Sequence, residues 1–317
     1  MARSLQSQQR NSKRKKSSKT SNVRLKFTLP DADSELFDTL EDLLRQTWTI
    51  FCVSTLFDFK RDESHLKKYA KRLREEVAAN LSHENVSYNA KFYIPDETAA
   101  RPSLMDPPAV KIEVHSTAIN EEEEIEKCIY KGVLLSWNSE QNEDTTKDSL
   151  RMPLLLCRGT RGTMDIVHAT LGKLFDCMII AMPATVEDLM WLMTILISHD
   201  DRKVSDEVKA EYTVPGLPVT ESITVKYRVK ELTNILDVIK EGEKDVIELK
   251  DIERFHECLH MQMLGIASVQ LGLCTLRRIT LPSITIMENR MKITHPETMN
   301  TVLLYLNEKA LNLCHTL

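Results

Sequence analysis

Glycine is scarce in this chain, at 8 residues in 317. A loop that cradles phosphate needs glycines at fixed spacing. The nearest stretch, Gly159-Thr160-Arg161-Gly162-Thr163, lacks both that spacing and the Lys-Ser/Thr pair of a nucleotide loop. It reads as a turn leading into a helix. No Gly-x-Ser-x-Gly nucleophile elbow occurs. No Cys-x-x-Cys pair occurs either, which excludes a zinc ribbon and a thioredoxin-type site. No apolar run reaches the ~18 residues of a membrane span, and the basic N-terminus lacks the apolar segment of a secretory signal. No internal repeat is visible. Seven cysteines, odd in number and irregularly spaced, read as reduced thiols of a nuclear or cytosolic protein. Most of them suit burial as small hydrophobes.

What the chain does have is apolar content of 42%, enough for a sizeable core, and 28% charged residues. The net charge of −5 hides an asymmetry. Nine of the 42 basic residues and none of the 47 acidic ones fall within residues 1–26, so the rest carries 33 against 47, a net of −14. A basic tail on an acidic body suits a nuclear protein working near nucleic acid or histones. Residues 1–26 hold almost no apolar side chains and are expected to be disordered. Within them Lys13, Arg14, Lys15 and Lys16 form a compact candidate nuclear import signal, which can also add non-specific phosphate contacts. Residues 27–317 form the folded part, either one domain or two subdomains at about 27–157 and 158–317.

Periodicity then places the elements. Leu36, Phe37, Leu40, Leu43 and Leu44 recur at helical spacing. Trp48–Phe59 reads as a twelve-residue strand, rich in β-branched and aromatic side chains. Ser64 is positioned to cap a helix whose stripe is Leu66, Tyr69, Ala70, Leu73, Val77 and Leu81. Strands are expected at Val86–Pro95, Val110–His115, Cys128–Trp137 and Met152–Cys157. The acidic residues Glu121–Glu124 and Glu126 read as a solvated loop. A helix over Met164–Leu174 leads into Cys177–Ala181. Thr185-Val186-Glu187-Asp188 is a capping box opening a helix that is apolar nearly all round, hence buried. Strands at Val208–Val214 and Ile223–Val229 precede helices at Leu232–Ile239 and Leu249–Leu264. Strands at Val269–Leu273, Arg277–Met287 and Met291–Thr294 follow, and a closing helix starts at Pro296, a favoured first helical position. Mixed order with hairpin-length connections predicts an α+β fold with largely antiparallel sheet.

Two motifs carry candidate chemistry. His256-Glu257-Cys258-Leu259-His260 matches His-Glu-x-x-His, which on a helix sets two imidazoles on one face for zinc and offers Glu257 as a general base. A third ligand is needed, the metzincin continuation is absent, since position 263 is Met and 266 is Ile, and the nearest downstream acid, Glu288, falls in an expected strand hairpin and not on a following helix. The plainer account is an amphipathic helix with Ile252, Phe255, Leu259 and Met263 inward. Separately, Lys67, Lys71 and Arg74 recur at i, i+4, i+7 on the outer face of their helix and can track a DNA backbone. A solvated helix face is the commoner explanation, and Glu75 and Glu76 dilute the field. His199-Asp200-Asp201 clusters further candidate ligands, with a polar helix end as the simpler reading.

The run TWTIFCVSTLFDF, followed by a Leu-Lys-x-Tyr-x-x-x-Leu helix, resembles the N-terminal part of the centromere protein L family. Further blocks resemble it in order: LGKLFDCMIIA at 171–181, VEDLMWLMT at 186–194, and the C-terminal part from Phe255 through Leu276-Arg277-Arg278-Ile279 to the helix at Leu303–Ala310. The resemblance implies an α+β, non-enzymatic subunit of the inner kinetochore in the nucleus, with neither cofactor nor small-molecule substrate. It implies pairing with centromere protein N, whose N-terminal region reads the centromeric nucleosome, through sheet edges. Arg277–Met287 is the candidate edge: Arg277, Ile279, Leu281, Ile284 and Ile286 alternate, and the period breaks at Pro282-Ser283. An ordinary sheet packed on its own helices accounts for it equally well. Other inner-kinetochore subunits and centromeric chromatin are the further partners implied. Two alternatives stand beside this: a zinc-dependent hydrolase built on His256, Glu257 and His260, and a generic nuclear DNA-binding protein.

Overall fold

The computed structural model describes residues 40–81, 85–95, 102–103, 106–119, 124–138, 149–198, 207–218, 220–240 and 247–315. The basic segment Lys13–Lys16, the helical spacing at Leu36–Phe37 and His199-Asp200-Asp201 lie outside them. A 3-10 turn (Glu41–Leu43) leads into β1 (Thr47–Val53). Alternation sends Trp48, Ile50 and Cys52 into one apolar cluster and Phe51 and Val53 into another on the opposite face. The twelve-residue strand expected here ends early. At Ser54 the backbone N–H turns to the Met178 carbonyl, and β2 (Leu56–Phe57) pairs separately with β6 (Ser149–Leu150). In α1 (Glu63–Leu81), Asp62 takes the capping role expected of Ser64. Its carboxylate accepts from the His65 N–H at 3.1 Å and from the Ser64 hydroxyl at 2.6 Å. The cap belongs to the residue before the helix, and Ser64 already lies in the first turn.

The strands β3 (Val86–Tyr93), β4 (Val110–Ile119), β5 (Glu124–Leu135) and β7 (Leu154–Gly159) follow the expected positions. Glu124 and Glu126, expected in a loop, extend β5 opposite Ile119 and Thr117. The Gly159–Thr163 stretch is the expected turn into α2 (Arg161–Phe175): Thr160 caps it, its hydroxyl accepting from the Thr163 N–H. After β8 (Ile179–Ala181) comes α3 (Val186–Ser198) with its reciprocal cap intact. The Asp188 N–H donates to Thr185 Oγ1 at 3.2 Å, and the Thr185 N–H to Asp188 Oδ2 at 2.6 Å. The chain continues through β9 (Glu207–Thr213), β10 (Ser222–Arg228), α4 (Val229–Ile239) and α5 (Leu249–Ala267). Val269–Leu273, expected as a strand, contains a 3-10 turn (Leu271–Leu273). β11 (Thr275–Leu281), β12 (Ile284–Met287), β13 (Arg290–Ile293) and α6 (Pro296–His315) complete the fold.

All strand pairs are antiparallel. The large sheet runs β10-β9-β11-β12-β13-β1-β7-β5-β4-β3, with β8 alongside the end of β1. Strands from both halves of the chain therefore share one sheet, joined where β1 takes β13 on one side and β7 on the other. Helices α3 to α6 cover one face along most of this row. On the other face α1 and α2 cover the β3-β4-β5-β7 half, and among the described residues no helix covers the rest. The apolar-all-round character of α3 has a direct cause: it lies between β11 and the helices α4, α5 and α6.

Candidate interaction surfaces

The His-Glu-x-x-His helix is α5, whose inner stripe is Ile252, Phe255, His256 and Leu259. His256 is turned into the core at 4% exposure, its ring 5.9 Å from Phe255 and 6.1 Å from His260. Burial, with a smaller effect from His260, depresses its pKa to about 4, so the imidazole is neutral at neutral pH. His260 is half-buried against the Tyr212 ring, and burial depresses its pKa as well. Glu257 lies on the exposed face with Cys258, whereas His256 is turned inward, so it does not share a side with the buried imidazole as a base for metal-bound water would have to. Among the described residues no three His, Cys, Asp or Glu side chains converge as a metal-binding group.

On α1, Lys67, Lys71 and Arg74 are exposed together on the outer face, as the spacing predicts. Lys67 is engaged with Glu63 at 2.7 Å. Lys71 and Arg74 have no ion pair among the described residues. Arg72 and Lys173 both approach Glu76, at 3.6 and 4.0 Å, on the rim of a shallow cleft between α1 and α2.

The run 277–287 is not at an edge. β11 lies between β9 and β12, and β12 between β11 and β13, so their backbone groups are paired on both sides. Ile279, Leu281, Ile284 and Ile286 are buried under the helix layer. Arg277 is tied to Glu288 at 2.6 Å. The break at Pro282-Ser283 is the turn of a hairpin, with Leu281 opposite Ile284. The alternation that suggested an edge is that of a strand with one face buried, which interior and edge strands share.

The free edge beside these strands is β10, paired only with β9 among the described residues. Sequence reasoning identified β10 as a strand but had no signal for its place in the row. At the same end of the sheet, Thr213 pairs with Ser222 of β10 and with Thr275 of β11. The segment just before Thr275 is an apolar tip, with Met261, Leu264 and Ile266 on the last turns of α5 and Leu273 after it all strongly exposed. Large apolar side chains exposed around one helix end mark an interaction site more often than does a lone exposed one.

The half of the sheet face that no helix covers among the described residues is cationic. One row across it reads Lys226, Lys209, Thr280, Thr285, Lys292, Thr47, and the next reads Thr224, Glu211, Arg278, Met287, Arg290, Thr49. Glu211 pairs with Arg278 at 3.7 Å, and Glu207 with Lys226 at 3.9 Å. Lys209, Arg290 and Lys292 are exposed without an ion pair among the described residues. Lys226 directly opposite Lys209 is an unfavourable cross-strand pair for the isolated sheet.

A family model for centromere protein L matches residues 42–311, well over half of the chain. The chain belongs to the centromere protein L family. A curated relative, centromere protein L of Gallus gallus, is 23% identical over 225 residues, covering 69% of this chain. The chain spans 64% of that relative's length. The matched region begins in the 3-10 turn before β1 and ends in the last turns of α6, so it takes in the whole large sheet and both helix layers. Membership makes this a nuclear protein of the centromere and kinetochore. Among the described residues no helix is long and apolar enough to cross a membrane.

Proposed function

We propose that the chain is a non-enzymatic scaffold subunit of the inner kinetochore that pairs with centromere protein N. The observation that carries this reading is the one-sided strand β10 at the end of the sheet, with the apolar tip of α5 two strands away. An unpaired edge is a liability unless something covers it. A partner strand added to β10 gains main-chain hydrogen bonds, and Met261, Leu264, Ile266 and Leu273 supply apolar area for the same partner. The interface thus lies beside the strands 277–287, not on them. The test is co-purification with centromere protein N. The double substitution Leu264→Glu, Ile266→Glu alters exposed side chains only, so the subunit stays folded, and pairing weakens tenfold or more. Undiminished pairing by the folded variant refutes the placement.

A second contact is favoured by the cationic sheet face. We propose that Lys209, Lys226, Arg290 and Lys292, with Lys71 and Arg74 on α1, meet phosphates of centromeric chromatin. Phosphate contacts release counterions, so affinity falls steeply as salt rises. Charge reversal at Lys209 and Lys292 is expected to weaken DNA binding by the assembled complex and flatten its salt dependence. An unchanged salt slope counts against the surface. The zinc hydrolase alternative predicts stoichiometric zinc that is lost on His256→Ala, which metal analysis of the purified protein reads directly.

A further inference from the structure

We propose that Cys52 and Cys314 form an oxidation-dependent disulfide that fastens the end of the C-terminal helix to the central strand of the sheet. The two residues are 262 positions apart in sequence, yet their Sγ atoms lie 2.8 Å from each other. A disulfide needs about 2.05 Å, so a shift of roughly 0.8 Å closes the bond. Cys52 is buried on the α6 side of β1, its thiol directed at the Ala310 carbonyl at 3.5 Å. Cys314, in the last turn of α6, is partly exposed and directed at the Val53 carbonyl at 3.3 Å. One thiol is thus reachable from solvent and the other waits behind it.

The electrostatics divide the roles. The hydrogen bond from Cys52 lowers the Cys314 thiol against a smaller opposing effect of burial, and Arg151 assists. The same hydrogen bond and burial raise Cys52. Cys314, the partly exposed member of the pair and the one whose pKa is lowered, is therefore the attacking group, and buried Cys52 the thiol that resolves the intermediate. With hydrogen peroxide as oxidant, the Cys314 sulfur takes one oxygen. An S–O bond forms, the O–O bond breaks, and hydroxide leaves to become water. The Cys52 sulfur, giving up its proton, then attacks Cys314 sulfur. The S–S bond forms, the S–O bond breaks, and a second water leaves. The two thiols lose two electrons and two protons, and peroxide is reduced to two waters.

The consequence is local. Inward of the last turn, Ala310 is fully buried, whereas Leu313 is 39% exposed. A covalent link at 314 holds the turn most prone to fray. The five remaining cysteines provide the internal control, since Cys128 and Cys258 are more exposed than either member of the pair.

The experiment uses the reduced full chain, treated with a slight excess of hydrogen peroxide, then alkylated and weighed intact. The expected result is five alkyl groups in place of seven, with peptide mapping recovering the Cys52 and Cys314 peptides as one linked species that dithiothreitol separates. The melting midpoint rises on oxidation and returns on reduction, and Cys52→Ser and Cys314→Ser each abolish that shift. The linked-peptide readout needs no variant, so a misfolded substitution cannot obscure it. Seven alkyl groups after oxidation, linkage among other cysteines, or over-oxidation of Cys314 with Cys52 still free each overturns the proposal.

Discussion

Lowering the pH from 7.5 to 5.5 is expected to destabilise this protein through buried His256 and half-buried His168, and His256 is the more informative. Its imidazole is neutral in the folded state, with a pKa depressed to about 4 by burial, whereas an unfolded histidine titrates near 6.5. The folded state thus binds fewer protons than the unfolded one across this interval. Stability is intact above pH 6.5 and is lost progressively as pH falls toward 4. At pH 5.5 the unfolded histidine is about nine-tenths protonated and the folded one scarcely at all, which is worth about 1.3 kcal/mol relative to pH 7.5. His168 sits in the same situation, packed edge-on at 4.5 Å to Phe51 with a pKa near 4, and adds a similar share. The assay is urea unfolding followed by tryptophan fluorescence, since Trp48, Trp137 and Trp191 are all buried. These two histidines together contribute a loss of about 2.6 kcal/mol between the two pH values, and His256→Leu should lose about 1.3 kcal/mol less than wild type. A His256→Leu variant with the full wild-type loss refutes the assignment of a buried neutral imidazole. Stabilisation of wild type by zinc at neutral pH, abolished in the variant, would turn the same residue back toward metal binding.

Four further outcomes follow from the packing. Asp188 accepts from the Tyr305 hydroxyl at 2.7 Å and from Lys309 while it caps α3. Asp188→Ala, which strands the Lys309 ammonium in a half-closed site, should cost about 3–5 kcal/mol in chemical denaturation, and a cost below 1 kcal/mol counts against the tether. Trp137→Phe removes the indole N–H that donates to Asn300 at 2.9 Å and leaves a buried acceptor unpaired, at a cost of about 1–3 kcal/mol. Gly159→Ala places a methyl group 2.6 Å from the Ile129 carbonyl, forcing β5 and β7 apart, for about 1–3 kcal/mol lost. By contrast Gly162→Ala, with open space around it, should gain up to ~1 kcal/mol in thermal melts.

Much of the fold was legible because local patterns carry local information. The stripe Leu66, Leu73, Val77 announces α1, and the Thr185–Asp188 box announces α3. Where reading failed, a neighbour distant in sequence had decided the matter. β1 stops at Val53 because Ser54 bonds to Met178, and Glu126 is a strand residue because Thr117 pairs with it. The Asn300 and Asn307 side chains that hold Trp137, just past the end of β5, left no trace in periodicity.

Legible along the chain were the α+β class, the one-sided burial of most strands, the Thr185–Asp188 helix cap, and the order of blocks that marks the centromere protein L family. Those properties follow from side-chain period and residue type, which are written along the chain. Long-range packing alone sets β11 and β12 inside the sheet and, among the described residues, leaves β10 at its edge and half of one sheet face uncovered and cationic; it also brings Cys52 to Cys314. A strand's period of two states which side chains share a face, and it is silent on which strand lies beside it. That order is set by closure of the whole antiparallel sheet around α3, to which both ends of the chain contribute.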